Sequence, residues 1–125
     1  MKPRIIVCGL GRTGFKVFCL LKEQNARVVG ISDSPLQPEH LPHASDIIVG
    51  NPRSEQTLLE AGITDSQTLV LMSGDDALNL AILAQARVLN SHIRIVNRLF
   101  NNSLGRRLDR TLPDHVSMSV AELAA

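Results

Sequence analysis

Tryptophan and tyrosine are absent from this chain, and phenylalanine occurs only three times. Proteins that hold single-stranded nucleic acid stack its bases on aromatic rings, and this sequence has hardly a ring to offer. An excess of one charge is also missing. Thirteen Lys and Arg stand against twelve Asp and Glu, for a formal net charge of +1. Neither nucleic acid nor an anionic membrane surface would find an electrostatic footprint here. No apolar run is long enough to cross a bilayer, so direct membrane insertion is not expected. The basic start Met1-Lys2-Pro3-Arg4 is followed by a short apolar run without the small-residue cleavage pattern of a secretory signal. The two cysteines, Cys8 and Cys19, fall on apolar positions and read as reduced core thiols in a cytoplasmic chain. Catalytic constellations are lacking as well: no Ser/His/Asp order, no Cys/His pair and no H-E-x-x-H motif. Glu39, His40 and His43 have metal-like spacing but no third strong ligand, so no metal site is assigned.

What is present is organised around one stretch, Ile5-Ile6-Val7-Cys8-Gly9-Leu10-Gly11-Arg12-Thr13-Gly14. An apolar, β-branched run predicts a buried strand. It stops at a G-x-G-x-x-G, and a helical pattern begins directly behind it. In such a turn the first glycine lets the chain reverse, the second lets backbone approach a pyrophosphate, and the third lets the helix sit against the strand. The phosphates then face the free N–H groups and the positive end of the helix.

The rest of the 125-residue chain repeats the alternation of strand and helix. A helix is predicted over residues 12–24, with Phe15, Val17, Phe18, Leu20 and Leu21 as its apolar stripe. Strands follow over residues 27–32, 46–50, 68–72, 93–97 and 115–117. Pro35 and Pro38 predict an irregular connection before the third strand. Ser54 is expected to cap a helix that ends at Gly62, and Asp75 or Asp76 to cap the helix over residues 77–90. Further helices are expected over residues 101–112 and from Ser119 onward; the basic face Arg106, Arg107 and Arg110 reads as solvated. Unbroken apolar strands imply a parallel sheet buried on both faces. The expected fold is α/β: a Rossmann-like, doubly wound, parallel six-stranded sheet in three layers. Residues 1–125 read as a single domain excised from a longer protein.

In order and spacing, four stretches resemble the N-terminal lobe of an RCK domain (regulator of potassium conductance), also called KTN or TrkA-N. They are Val7 to Gly14; Ile48-Val49-Gly50-Asn51-Pro52 with Leu58 to Ile63; Ser73-Gly74-Asp75-Asp76 with Asn79-Leu80; and Arg94 to Arg98. The resemblance implies a regulatory domain on the cytoplasmic side of a potassium channel or transporter. It further implies assembly into homo-oligomers and a last helix that crosses to a partner subunit. Such a domain binds NAD(H) or an adenine nucleotide (AMP, ADP or ATP) and is not an enzyme. The other reading is the cofactor domain of an NAD(P)-dependent oxidoreductase, which would need a substrate domain elsewhere.

The candidate binding residues are Gly9, Leu10, Gly11, Arg12, Thr13 and Gly14 at the turn, Ser32 and Asp33 after the second strand, Asn51 and Pro52 after the third, Ser73, Gly74 and Asp75 after the fourth, and Arg98 at the end of the fifth. Arg12 and Thr13 are placed to donate to phosphates. In the family an acidic residue commonly ends the second strand and accepts from the ribose. Here Ser32 stands there and Asp33 follows one position later, which on an extended strand is the opposite face; where the strand frays, Asp33 swings in and reaches the ribose instead. A serine would admit a 2′-phosphate, but no Arg or Lys between Ser32 and Leu41 would neutralise one, so NADP is the weaker candidate. Asn51 offers a donor and an acceptor to an adenine edge, or serves as a helix-entry turn residue. By resemblance Asp75 and Asp76 could hold a cation; two acids at a helix start more simply cap it. Resemblance also places Arg98 near phosphates, with a surface ion pair as its other reading.

Overall fold

A computed structural model of the chain describes residues 4–99 and 115–119, with backbone alone at residues 98, 99 and 115–119. The sequence readings for helices over residues 101–112 and beyond 119, and for Arg106, Arg107 and Arg110, lie outside the described residues.

Aliphatic runs become strands β1 (Arg4–Cys8), β2 (Arg27–Ser32), β3 (Ile47–Val49), β4 (Thr68–Leu71), β5 (Arg94–Leu99) and β6 (His115–Ser119). Every neighbouring pair is parallel, in the order β3-β2-β1-β4-β5-β6. The chain therefore starts in the middle of the sheet, builds outward to β3, and returns to the other side of β1 to build β4 to β6. That reversal creates a switch point beside β1, where open α/β sheets leave a crevice at the carboxyl ends of the strands.

Strand parity divides the core in two. Ile6 and Cys8 of β1, Ile31 of β2, Leu69 and Leu71 of β4 and Ile95 of β5 face one side. There they pack under helix α2 (Glu55–Glu60) and helix α3 (Asp76–Leu89), which contribute Leu58, Ile82, Leu83 and Ala86. Val7, Val28 and Val70 face the other side, with Leu10 and with Phe18 of helix α1 (Arg12–Glu23). Gly30 lies on this second face. A Cβ there would come within 2.8 Å of a Leu10 methyl and 3.3 Å of the Phe18 ring, so its missing side chain makes room for both.

Helix ends follow local chemistry. Gly62 takes the left-handed conformation (φ +85) after α2, as a C′ glycine should. Ser54 occupies the N-cap position of α2, but its hydroxyl makes no capping bond. The turn is instead held by Asn51, whose Oδ1 accepts from the Arg53 N–H at 2.9 Å. At α3 the cap is real: Asp75 Oδ1 accepts from the N–H groups of Ala77 (3.0 Å) and Leu78 (3.2 Å).

The connection expected to be irregular is a 3-10 helix, Pro38–Asp46. The prolines do not prevent it, because their fixed φ near −65° is already that of a 3-10 helix. The segment is held against α1 by a ring cluster, in which Phe15 meets His40 edge-on at 4.7 Å and Phe18 meets His43 at 5.5 Å. At its far end Asp46 pairs with Lys22 of α1.

Asp75→Ala removes both cap bonds and should cost about 1 kcal/mol. Asp75→Asn, which caps as well, should restore the urea midpoint; equal midpoints for wild type and Asp75→Ala would contradict the assignment.

Candidate nucleotide site

The site begins with glycines that have different jobs. β1 ends at Cys8 and the chain turns through Gly9, at φ +95, where an L side chain is strained. The Gly9 N–H donates to the Ile31 carbonyl at 3.0 Å, which ties the turn to β2. A Cβ on Gly9 would lie 2.8 Å from the backbone nitrogen of Ser73, so the turn also touches the loop after β4. Gly14, in the first turn of α1, rests directly on the Gly9 carbonyl, and any Cβ there would collide with it. Gly11 and Gly74 are the reverse case: a Cβ on either meets nothing within 4 Å. Packing within the chain explains Gly9 and Gly14. It does not explain Gly11 or Gly74.

Both open glycines border one cavity of about 370 Å³ at the carboxyl ends of β1, β2 and β4. Its floor is Cys8, Ile31 and Met72. One wall is the glycine turn with Leu10; facing it are Ser73, Gly74 and the apolar side chains Leu78 and Ile82 of α3. The end beyond β2 is formed by residues after Ser32, among them Asp33, Gln37 and His40, and Pro52 also borders the space. Gly11 is the N-cap of α1 and offers no side-chain cap. The first N–H groups of a helix have no partner inside it, so they are left to whatever occupies the cavity. Burial pushes the Cys8 thiol up to about 12. Cys19, on the other face of the sheet, is raised by burial and then by the nearby Glu23 carboxylate. Both cysteines are free thiols.

Of the residues singled out in the sequence, Gly9, Leu10, Gly11, Ser32, Asp33, Pro52, Ser73 and Gly74 meet around this one space. Arg12, Thr13 and Gly14 form the first turn of α1 just behind it. Asn51 is spent on its own turn and Asp75 on the α3 cap, and neither borders the cavity. Among the described residues no group of three or more His, Cys, Asp and Glu could hold a metal ion. The Arg98 side chain lies outside the described residues.

The end of β2 departs from the sequence reading. Ser32 is 5% exposed, and its hydroxyl donates to the Ser34 carbonyl at 2.7 Å while accepting from the Ser34 N–H at 3.2 Å. This local turn ends the strand and consumes the donor that the sequence reading offered to a ribose. Strand alternation stops there too, so Asp33 reaches the cavity instead of the opposite face. Gln37, His40, Met72, Leu78 and Ile82 were not anticipated. Position at a strand's carboxyl end would have pointed to Met72; the 3-10 residues carried no such signal.

Comparison with known proteins agrees with this geometry. The family model for the TrkA-N domain matches residues 5–119, and the chain belongs to that family. The TrkA-N domain of the inner membrane protein YbaL from Escherichia coli superimposes with a TM-score of 0.82 at 22% identity, covering 98% of this chain and 91% of that one. The GsuK channel bound to NAD gives 0.79 at 27% identity over 98% of this chain and 22% of that one; GsuK has also been solved bound to ADP. The AMP-bound Kef CTD of Shewanella denitrificans gives 0.77 at 23% identity, covering 92% of this chain and 70% of that one. An uncharacterized protein of Methanothermus fervidus is 36% identical over 101 residues, and the match spans 78% of this chain and only 16% of that protein's length. Among the described residues no helix is long and apolar enough to cross a membrane.

The glycine roles separate by substitution. Gly14→Ala should lose at least about 2 kcal/mol, because a backbone carbonyl cannot step aside as a rotamer does. Gly11→Ala, at φ −72 and in open space, should change stability by less than about 1 kcal/mol, because the lost N-cap preference for glycine offsets the gain in chain entropy. Urea unfolding of both variants checks the pair.

Proposed function

We propose that this chain is a nucleotide-sensing regulatory domain of a potassium channel or potassium transport system, working without turnover on the cytoplasmic face of the membrane. One observation carries the reading. Gly11 is a glycine that nothing among the described residues requires, at a helix N-terminus, on the edge of a cavity at the sheet's switch point. A bound pyrophosphate or phosphate is what such a glycine makes room for. The NAD, ADP and AMP held by related structures support the same ligand class here.

In this reading the phosphates lie on the first turn of α1, with Arg12 and Thr13 close enough to donate. The ribose lies beyond β2, where the Asp33 carboxylate accepts from its hydroxyls and repels a 2′-phosphate. NAD(H) and the adenine mononucleotides AMP, ADP and ATP are therefore favoured over NADP. Leu78, Ile82 and Met72 give the ligand an apolar bed. Asn51 and Arg98 can join from the rim, Arg98 in a neighbouring copy. The domain acts as a homo-oligomer beside a membrane-embedded subunit, and ligand biases conduction only through a difference in affinity between two arrangements of the assembled lobes.

Calorimetric titration with NADH, NAD, NADPH, AMP, ADP and ATP tests the reading. Gly11→Ala should weaken binding at least tenfold with unfolding unchanged. Wild-type protein that binds none of these at millimolar concentration would sink it. At the ribose end, Asp33→Ala should weaken NADH by about tenfold, the worth of a charge-assisted bond. Ser32→Asp should add little, because Ser32 is committed to its turn. Sustained NADH oxidation with a small carbonyl compound, lost in Gly11→Ala, would favour the oxidoreductase reading instead.

A further inference from the structure

His40 is a histidine in a 3-10 helix, 4% exposed, whose ring borders the cavity. Its Nδ1 accepts a hydrogen bond from the Gln37 backbone N–H at 3.0 Å, and the His40 backbone N–H donates to the Gln37 carbonyl at 2.9 Å. A ring nitrogen that accepts carries no proton, so the neutral ring holds its proton on Nε2. The edge-on contact with Phe15, at 4.7 Å and 68°, fixes the plane of the ring. Among the described residues Nε2 has no partner, and it is not one of the sealed, unpartnered atoms. With Nδ1 committed to Gln37, Nε2 is the ring nitrogen left for a ligand in the cavity that His40 lines.

Asp33 lines the same cavity. The lining thus includes a group that only accepts, the carboxylate, and a group that only donates, the Nε2–H. A hydroxyl does both and satisfies the pair. A phosphate only accepts, and it meets the negative charge of Asp33.

From this we infer that His40 is a specificity residue for the sugar: its Nε2–H donates to the ribose 2′-hydroxyl of the bound adenine nucleotide, so that the site selects a free 2′-hydroxyl over 2′-deoxy and 2′-phosphate forms. The inference rests on the nucleotide reading above and adds to it a residue and a sugar preference.

Two variants separate the ring's roles. In His40→Asn the side-chain Oδ1 replaces Nδ1 and keeps the Gln37 bond, while nothing reaches the Nε2 position. In His40→Gln the amide N–H replaces Nε2–H. Calorimetry with ADP and 2′-deoxy-ADP on wild type and both variants, with thermal melts alongside, reads the outcome. Wild type should prefer ADP. His40→Asn should weaken ADP about three- to tenfold and 2′-deoxy-ADP hardly at all, the signature of one lost neutral hydrogen bond. His40→Gln should recover most of the preference. Equal weakening of both ligands in His40→Asn would show that the residue only shapes the loop, and would overturn the inference. A wild-type preference near one would overturn it without recourse to any variant. Wild type that binds neither ADP form but does bind NADH overturns this inference alone; wild type that binds no nucleotide of the titration above overturns the nucleotide reading, and this inference with it.

Discussion

The contact between Gly14 and the Gly9 carbonyl is the constraint on which the site depends. It sets how closely α1 approaches the end of β1, and no side chain at position 14 is compatible with that distance. Gly9 in turn presses on the backbone of Ser73 and bonds to Ile31. Three strand ends are therefore fixed to one another by main-chain contacts. Side-chain packing alone would leave them free to adjust by rotamer changes. The cavity is the space left when these strand ends are held and the helix N-terminus is held above them.

The sheet's two faces carry this constraint outward. Because parity alternates along every strand, Cys8 and Ile31 lie under α3 while Val7 and Gly30 lie under α1. The α1 face is tight, with Leu10 and Phe18 seated over Gly30. It is also where the 3-10 segment attaches, through Phe15 and the Lys22–Asp46 pair. A helix that is held rigidly at its start by Gly14 thus gives the 3-10 residues a fixed support. This is why a loop after β2 can place His40 reproducibly at the cavity.

Much of this was legible in the sequence. Unbroken aliphatic runs gave the strands, and the glycine spacing gave the turn, because both reflect repeating backbone requirements that any sequence must meet. What was not legible depends on single local hydrogen bonds. Ser32 looks like a ribose contact until its bonds to Ser34 are seen. Asn51 has an amide suited to an adenine edge but spends its oxygen on Arg53. Ser54 sits at a cap position without capping. Pro38 reads as a breaker because proline disrupts α-helices, whereas Pro38–Asp46 follows 3-10 geometry; Pro35 lies in irregular backbone, as expected. His40 was weighed only as a metal ligand, since its contact with Phe15 joins residues far apart in the chain.

The floor of the cavity has one further consequence. Cys8 lies beneath the space, and burial holds its thiol at about 12. At neutral pH only about one molecule in 10⁵ would carry the thiolate there. The thiolate is the form that attacks electrophiles and peroxides, so this sulfur is chemically silent despite its location. An electrophile that enters the cavity meets a protonated thiol at this position, which does not readily add to it. In the nucleotide-sensing reading a ligand over this sulfur is therefore held without a covalent bond to it, and its occupancy is reversible, as a gauge must be if it is to be read more than once.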